Sequence, residues 1–178
     1  MKIDLQGAHT PRDLLAWLDG HIGYGWVDGE GTVHGDMKGF RRGYRTLSVE
    51  EILGHGVGTC IDQVWLIHLA LDQLGIPNKM FCCRIFEPDN YGELEEEEHM
   101  HCFSLCQWQG QTLHIEHPNV SRKGIWTYPD ETTAVRAIED YYIELRGGKK
   151  SPTTEFFTVE PGLSFRQFNA YINSLDRS

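Results

Sequence analysis

The stretch from Gly56 to Pro77, GVGTCIDQVWLIHLALDQLGIP, limits the possible folds more than any other part of the chain. From about Cys60 to Leu74 the apolar residues recur at helical spacing, with Val64, Ile67, Leu71 and Leu74 on one stripe. Gly75 and then Pro77 end that helix, as a left-handed cap followed by a breaker would. A structural cysteine would more naturally sit inside the stripe, whereas Cys60 stands where the helix begins and its side chain can face a cleft. There the unpaired backbone amides carry partial positive charge, which favours thiolate over thiol.

The remaining elements follow from caps, periods and turns. Thr10 and Pro11 announce a first helix, RDLLAWLDGHI, with Leu14, Leu15, Trp17 and Leu18 on its apolar face. Residues Ile22 to Tyr44 are rich in glycine and turn formers and read as a short strand and turn leading into an irregular loop. Ser48 and Glu51 have capping-box spacing before a short helix. KMFCCRIF, HMHCFSLCQW and TLHIEH read as strands, the last two joined by a Gln109-Gly110 turn. A helix is predicted over Glu131 to Arg146 with Val135, Ile138, Tyr142 and Leu145 inward, then an exposed loop, GGKKSPTT. FFTVEP reads as a strand, and Ser164 with Gln167 caps a last helix. With no repeat and no long linker, residues 1–178 are expected to form one α+β domain, helices segregated around an antiparallel sheet.

At 178 residues, 40% hydrophobic and 11% aromatic, the chain can bury a core without disulfide staples. Its 16 basic and 26 acidic residues give a net charge of −10, which argues against nucleic acid or an anionic membrane as partner and favours a cationic or neutral substrate. No apolar run has the length of a signal peptide core or a membrane span, so a cytoplasmic protein is expected. Five cysteines, an odd number with Cys82 and Cys83 adjacent, read as free thiols. Cys82, Cys83, Cys102 and Cys106 lie in apolar strands and are expected to act as core hydrophobes.

A nucleophilic thiolate needs an imidazole partner and a group that orients it. If Gln109-Gly110 is a two-residue turn, 108 pairs with 111 and Phe103 lies opposite Glu116. His101 then shares a face with Glu116, diagonal to it at roughly 7–8 Å between backbones, a gap their side chains can bridge. His99 has the same parity and is assigned to the rim of the site or to a place behind His101.

GTCIDQVWLIHLALDQLGIPNK, HMHCFSL and LHIEHPNVSRKGI, in that order, resemble the transglutaminase-like superfamily over approximately Ser48 to Tyr128. The resemblance implies a papain-like core, an antiparallel sheet packed against the helix that carries the catalytic cysteine at its start. It also implies Cys60 as nucleophile, His101 as general base and acid, and Glu116 as the residue orienting His101. The family more often has aspartate in the third place; glutamate, one methylene longer, serves from a strand set slightly farther back. The implied chemistry is amide or peptide hydrolysis, or acyl transfer, through a thioester acyl-enzyme on a peptide, protein or small amide, with no cofactor. For the oxyanion, the backbone amide of Cys60 is the natural donor, and Trp26 or Gln63 is a candidate second one. Asp62 reads as a first-turn residue that satisfies the helix dipole.

Two other function classes are weighed. His99, His101, Cys102, His114 and His117 crowd two strands, but alternation sends Cys102 to the face opposite His101 and paired C-x-x-C spacing is absent, so no metal is expected. A transglutaminase-like binding module without catalysis is disfavoured because all three positions hold competent residues. His114 and His117 are expected to be partly exposed, and His9, His21, His34, His55 and His68 to have surface or packing roles. Trp17, Trp65 and Trp126 are assigned to the core, and Trp26 and Trp108 to a cleft. ELEEEEHM, Glu93 to Met100, reads as a solvated acidic loop, the alternative being that it raises the proton affinity of His101 or draws in a basic substrate. Specificity is assigned to Asp28–Arg45 and Asp89–Glu98.

Overall fold

The computed structural model describes residues 2–86, 98–146, 149–150 and 153–175. Helix α1 (Pro11–His21) starts with the expected cap: Thr10 Oγ1 accepts the Asp13 N–H, and the Asp13 carboxylate accepts the Thr10 N–H. Between it and Tyr44 lie three two-residue strands, β1 (Gly23–Tyr24), β2 (Trp26–Val27) and β3 (Val33–His34), and one helical turn, α2 (Phe40–Gly43). This segment is therefore more ordered than an irregular loop. Helix α3 (Val49–His55), capped by Ser48 and Glu51, leads through β4 (Val57–Gly58) into α4 (Cys60–Gln73). β4 runs parallel to β1, which fixes the entry to α4.

The sheet is built from β5 (Asn78–Phe86), β6 (Glu98–Trp108), β7 (Gln111–Glu116), β8 (Gly124–Tyr128) and, after α5 (Glu131–Arg146) and β9 (Lys149–Lys150), β10 (Thr154–Phe156). Its order is β10-β5-β6-β7-β8 with every neighbour antiparallel; β9 adds a further short pairing to β5. The chain closes with α6 (Phe165–Leu175). Gln109 and Gly110, both with positive φ (51° and 79°), make the predicted two-residue turn, and Trp108 pairs with Gln111.

Alternation along the strands sorts the core into two layers. Met80, Cys82 and Cys102 face α4 and α6, packing with Ile61, Val64, Phe168 and Ile172. Cys106, Leu113 and Ile115 face the α1, α3 and α4 layer through Leu14, Ile52, Leu66 and Ile67. Phe81, Cys83, Ile85, Phe103 and Leu105 face α5, packing with Ala134, Ile138 and Tyr142. This is an α+β fold with helices on both faces of an antiparallel sheet.

Several sequence expectations are corrected. Leu145 is 54% exposed, because Ala134, Ile138 and Tyr142, at four-residue intervals, already carry the inward stripe of α5. Trp126, on the edge strand β8, is 44% exposed and lies against the Arg122 guanidinium. Trp65 is only partly buried, packed against the core. In FFTVEP the strand lies earlier, at Thr154–Phe156 paired with Met80–Cys82, and Phe157 is exposed. Within GGKKSPTT, Lys149 and Lys150 pair with β5. Glu93 to Glu97 of the acidic run lie outside the described residues. No helix among the described residues is long and apolar enough to cross a membrane.

Candidate active site

A left-handed cap and a close approach explain the glycines before Cys60. Gly56 caps α3 with φ +66°, a left-handed conformation in which glycine is unstrained. Gly58 has no such φ; a Cβ there would lie 3.0 Å from Asp62 Cβ and 3.3 Å from Gln63 Cγ. The first turn of α4 therefore rests directly on the Gly58 backbone. Asp62, fully buried, secures the turn by accepting hydrogen bonds from the backbone N–H groups of Leu47 and Thr59, the Thr59 hydroxyl and the Tyr44 hydroxyl, at 2.9 to 3.1 Å. Burial nevertheless raises its carboxyl to about 6. Asp62 thus holds the loop at the start of α4, which is more than a response to the helix dipole.

His101 and Glu116 come together as the strand count predicts. His101 Nε2 lies 2.9 Å from Glu116 Oε2, with both residues buried. The other carboxylate oxygen of Glu116 accepts the Asn119 N–H at 3.0 Å. Tyr142 of α5 covers the imidazole, its ring centroid 4.4 Å away, and the Asn119 amide donates to the Tyr142 hydroxyl at 3.0 Å. Tyr142 and Asn119 were not anticipated in these roles, since an inward helix position and a turn residue give no sign of which side chain they will meet.

Cys60 reaches this pair around an open strand edge. The pairing of β6 with β7 extends only to Ser104 and Ile115, so β6 from His101 outward has β5 on one side and no β7 partner on the other. The Cys60 sulfur lies 3.9 Å from the Met100 carbonyl on that open edge. Being at the edge, it meets residues from both faces of β6. The Cys102 thiol and His101, by favouring the charged form of Cys60 over the opposing effect of burial, hold the Cys60 thiol well below its ordinary range. The Cys102 thiol is correspondingly pushed far up, by burial first and then by Cys60. Burial alone would lower His101, but the Glu116 charge and the hydrogen bonds to Cys60 and Glu116 raise it to about 10. Burial opposes ionisation of Glu116 too, and His101 outweighs it, leaving its carboxyl below the usual range. With Nε2 given to Glu116, Nδ1 is the ring nitrogen available to the thiolate.

Cys60, His101 and His99 line one cleft of about 930 Å³, together with Tyr24, residues Met37 to Arg42 and Leu145. The two candidate second oxyanion donors are occupied elsewhere. The Gln63 amide, fully buried, donates to the Gly58 and Gly23 carbonyls at 2.8 and 3.1 Å, and its oxygen meets His117 Nδ1 at 2.6 Å. The Trp26 indole donates to the Asp36 carbonyl at 2.6 Å, is buried, and does not line the cleft. Trp108 does not line it either.

His114 and His117 are buried, because α5 covers one sheet face and α1 the other end. Among the described residues neither ring nitrogen of His114 has a hydrogen-bond partner, Nε2 lies 3.3 Å from Glu116 Oε2, and burial lowers its proton affinity. His101, His114 and Glu116 offer three ligand atoms within 4.8 Å of one another, a set that could hold a metal ion. Cys102, 0% exposed, packs on the opposite face from His101, as alternation predicts. A scan against protein-family models finds no match to this chain, and a search of curated proteins finds none either.

Proposed function

We propose that the chain is a transglutaminase-like cysteine enzyme that hydrolyses an amide or ester, or transfers its acyl group, through Cys60, His101 and Glu116. The observation that carries this reading is the buried 2.9 Å His101–Glu116 contact behind a cleft into which Cys60 opens from a helix start. The Cys60 thiolate adds to the carbonyl carbon, and the carbonyl electron pair moves to oxygen, where the Cys60 backbone N–H donates to it. As the tetrahedral adduct collapses, the bond to nitrogen or oxygen breaks and His101 gives its proton to the leaving group. A thioester remains on Cys60.

Neutral His101 then takes a proton from water or an amine, which attacks the thioester. The C–S bond breaks, the thiolate returns, and His101 is protonated again. Glu116 stays ionised throughout and holds the imidazole so that Nδ1 faces sulfur. A papain-like arrangement of helix and sheet, a peptide, protein or small amide as substrate, and action in a reducing cytoplasm belong to the same reading; five free cysteines support the last.

Incubation with a peptide library, with and without an added amine, tests this. Intact-mass detection of an acyl adduct on Cys60, absent in Cys60→Ala, is the expected result. Processing by Cys60→Ala at the parent rate would refute the mechanism. A second reading is favoured by the His101, His114 and Glu116 ligand atoms: a buried zinc site that would displace the His101–Glu116 contact. Stoichiometric zinc in the purified protein would select it.

A further inference from the structure

Lys38, Arg41 and Arg42 line the cleft that holds Cys60, and among its described lining residues there is no aspartate or glutamate. The charged side chains of that described lining are thus all basic, opposite in sign to the chain's net −10. Local charge decides what binds, because at physiological ionic strength the Debye length is about 8 Å and more distant surface charge is largely screened. The one acidic residue in the same turn, Asp36, accepts the Lys38 backbone N–H at 2.9 Å and does not line the cleft.

The basic wall is held by a buried aromatic anchor. Phe40, 8% exposed, packs against Tyr44, Phe165 and Trp26 with ring centroids 4.6, 5.5 and 5.9 Å away. The short turn α2 follows from it, so its two arginines are fixed in place while Phe40 is buried. The Arg41 guanidinium lies 5.5 Å over the Phe165 ring, while Lys38 and Arg42 are exposed to an incoming ligand. Met37 and Val120, 49% and 72% exposed, add apolar surface at the same cleft.

We infer that the substrate carries an anionic group, a carboxylate or a phosphate, along Lys38 and Arg42, with an apolar portion between that group and the bond that Cys60 attacks. Arginine pairs with either anion through two parallel N–H donors, and lysine contributes a point charge. The inference rests on Cys60 being the nucleophile, and it reverses the expectation from net charge that a cationic or neutral substrate is preferred.

Alkylation of Cys60 by iodoacetate and by iodoacetamide, read by peptide mass spectrometry, separates the two claims. Slow labelling by both reagents would count against the nucleophile, whereas the ratio of the two rates reports the basic wall. In Lys38→Glu/Arg42→Glu that ratio should fall about tenfold from its parent value. In Lys2→Glu/Arg12→Glu, the same charge change away from the cleft, it should stay near the parent value. Excess glutarate or inorganic phosphate should slow iodoacetate labelling of the parent, and the stronger competitor identifies the anion. An unchanged ratio in the cleft variant, an equal fall in the distant one, or no competition by either anion would overturn the inference.

Discussion

A thiol at Cys60 that is held ionised by its neighbours should not behave like a free cysteine in water. Its alkylation rate should be nearly flat from about pH 6 to 8, where an ordinary thiol gains about tenfold per unit. The flat region should end only as His101 loses its proton, near pH 10. A rate that climbs steadily through neutrality would show that the ion pair does not form. Cys102→Ala removes a thiol that favours the Cys60 thiolate, and it should move the low-pH limb of the same profile to higher pH. This role for Cys102 was not legible in the sequence. Strand alternation places it on the face away from His101, which it occupies, but the contact with Cys60 depends on where β7 stops relative to β6. Composition and periodicity carry no information about that.

The hairpin from β6 to β7 was legible because a two-residue turn and a two-residue period leave only one register in which His101 and Glu116 share a face. The start of α4 was legible only in part. Glycines before a helix suggested a sharp turn, yet Gly58 is required by contact with Asp62 and Gln63 rather than by its backbone angle. Gly58→Ala should therefore displace the first turn of α4 and slow Cys60 alkylation, measured at a pH where the parent is on its plateau. Asp62→Ala leaves four donors at the same turn without their acceptor and should cost about 3 kcal/mol in urea denaturation. A loss under about 1 kcal/mol would mean that water or a rearranged loop satisfies those donors.

Across the whole molecule, covering both sheet faces turns strand histidines that looked half-exposed into buried ones, and it makes the His101–Glu116 pair a matter of fold stability as well as chemistry. His101 has a folded-state value raised to about 10, so its contribution is fully present below its unfolded value of about 6.5 and is lost as pH rises toward 10. Glu116 is lowered by the same partner, so its contribution is present above its unfolded value of about 4.3 and is lost as pH falls through the lower folded value. The pair therefore stabilises the fold most between about pH 4.5 and 6.5. Glu116→Gln removes the charge and keeps the volume, so the gap in Tm between parent and variant should be widest in that window. It should narrow on both sides, more gradually toward alkaline pH because His101 titrates late. Differential scanning fluorimetry across the range measures it, and a gap that is constant with pH would mean that the contact is a hydrogen bond between neutral groups. In that case His101 would rest unprotonated, and Cys60 would depend on Cys102 and the helix start alone for its ionisation.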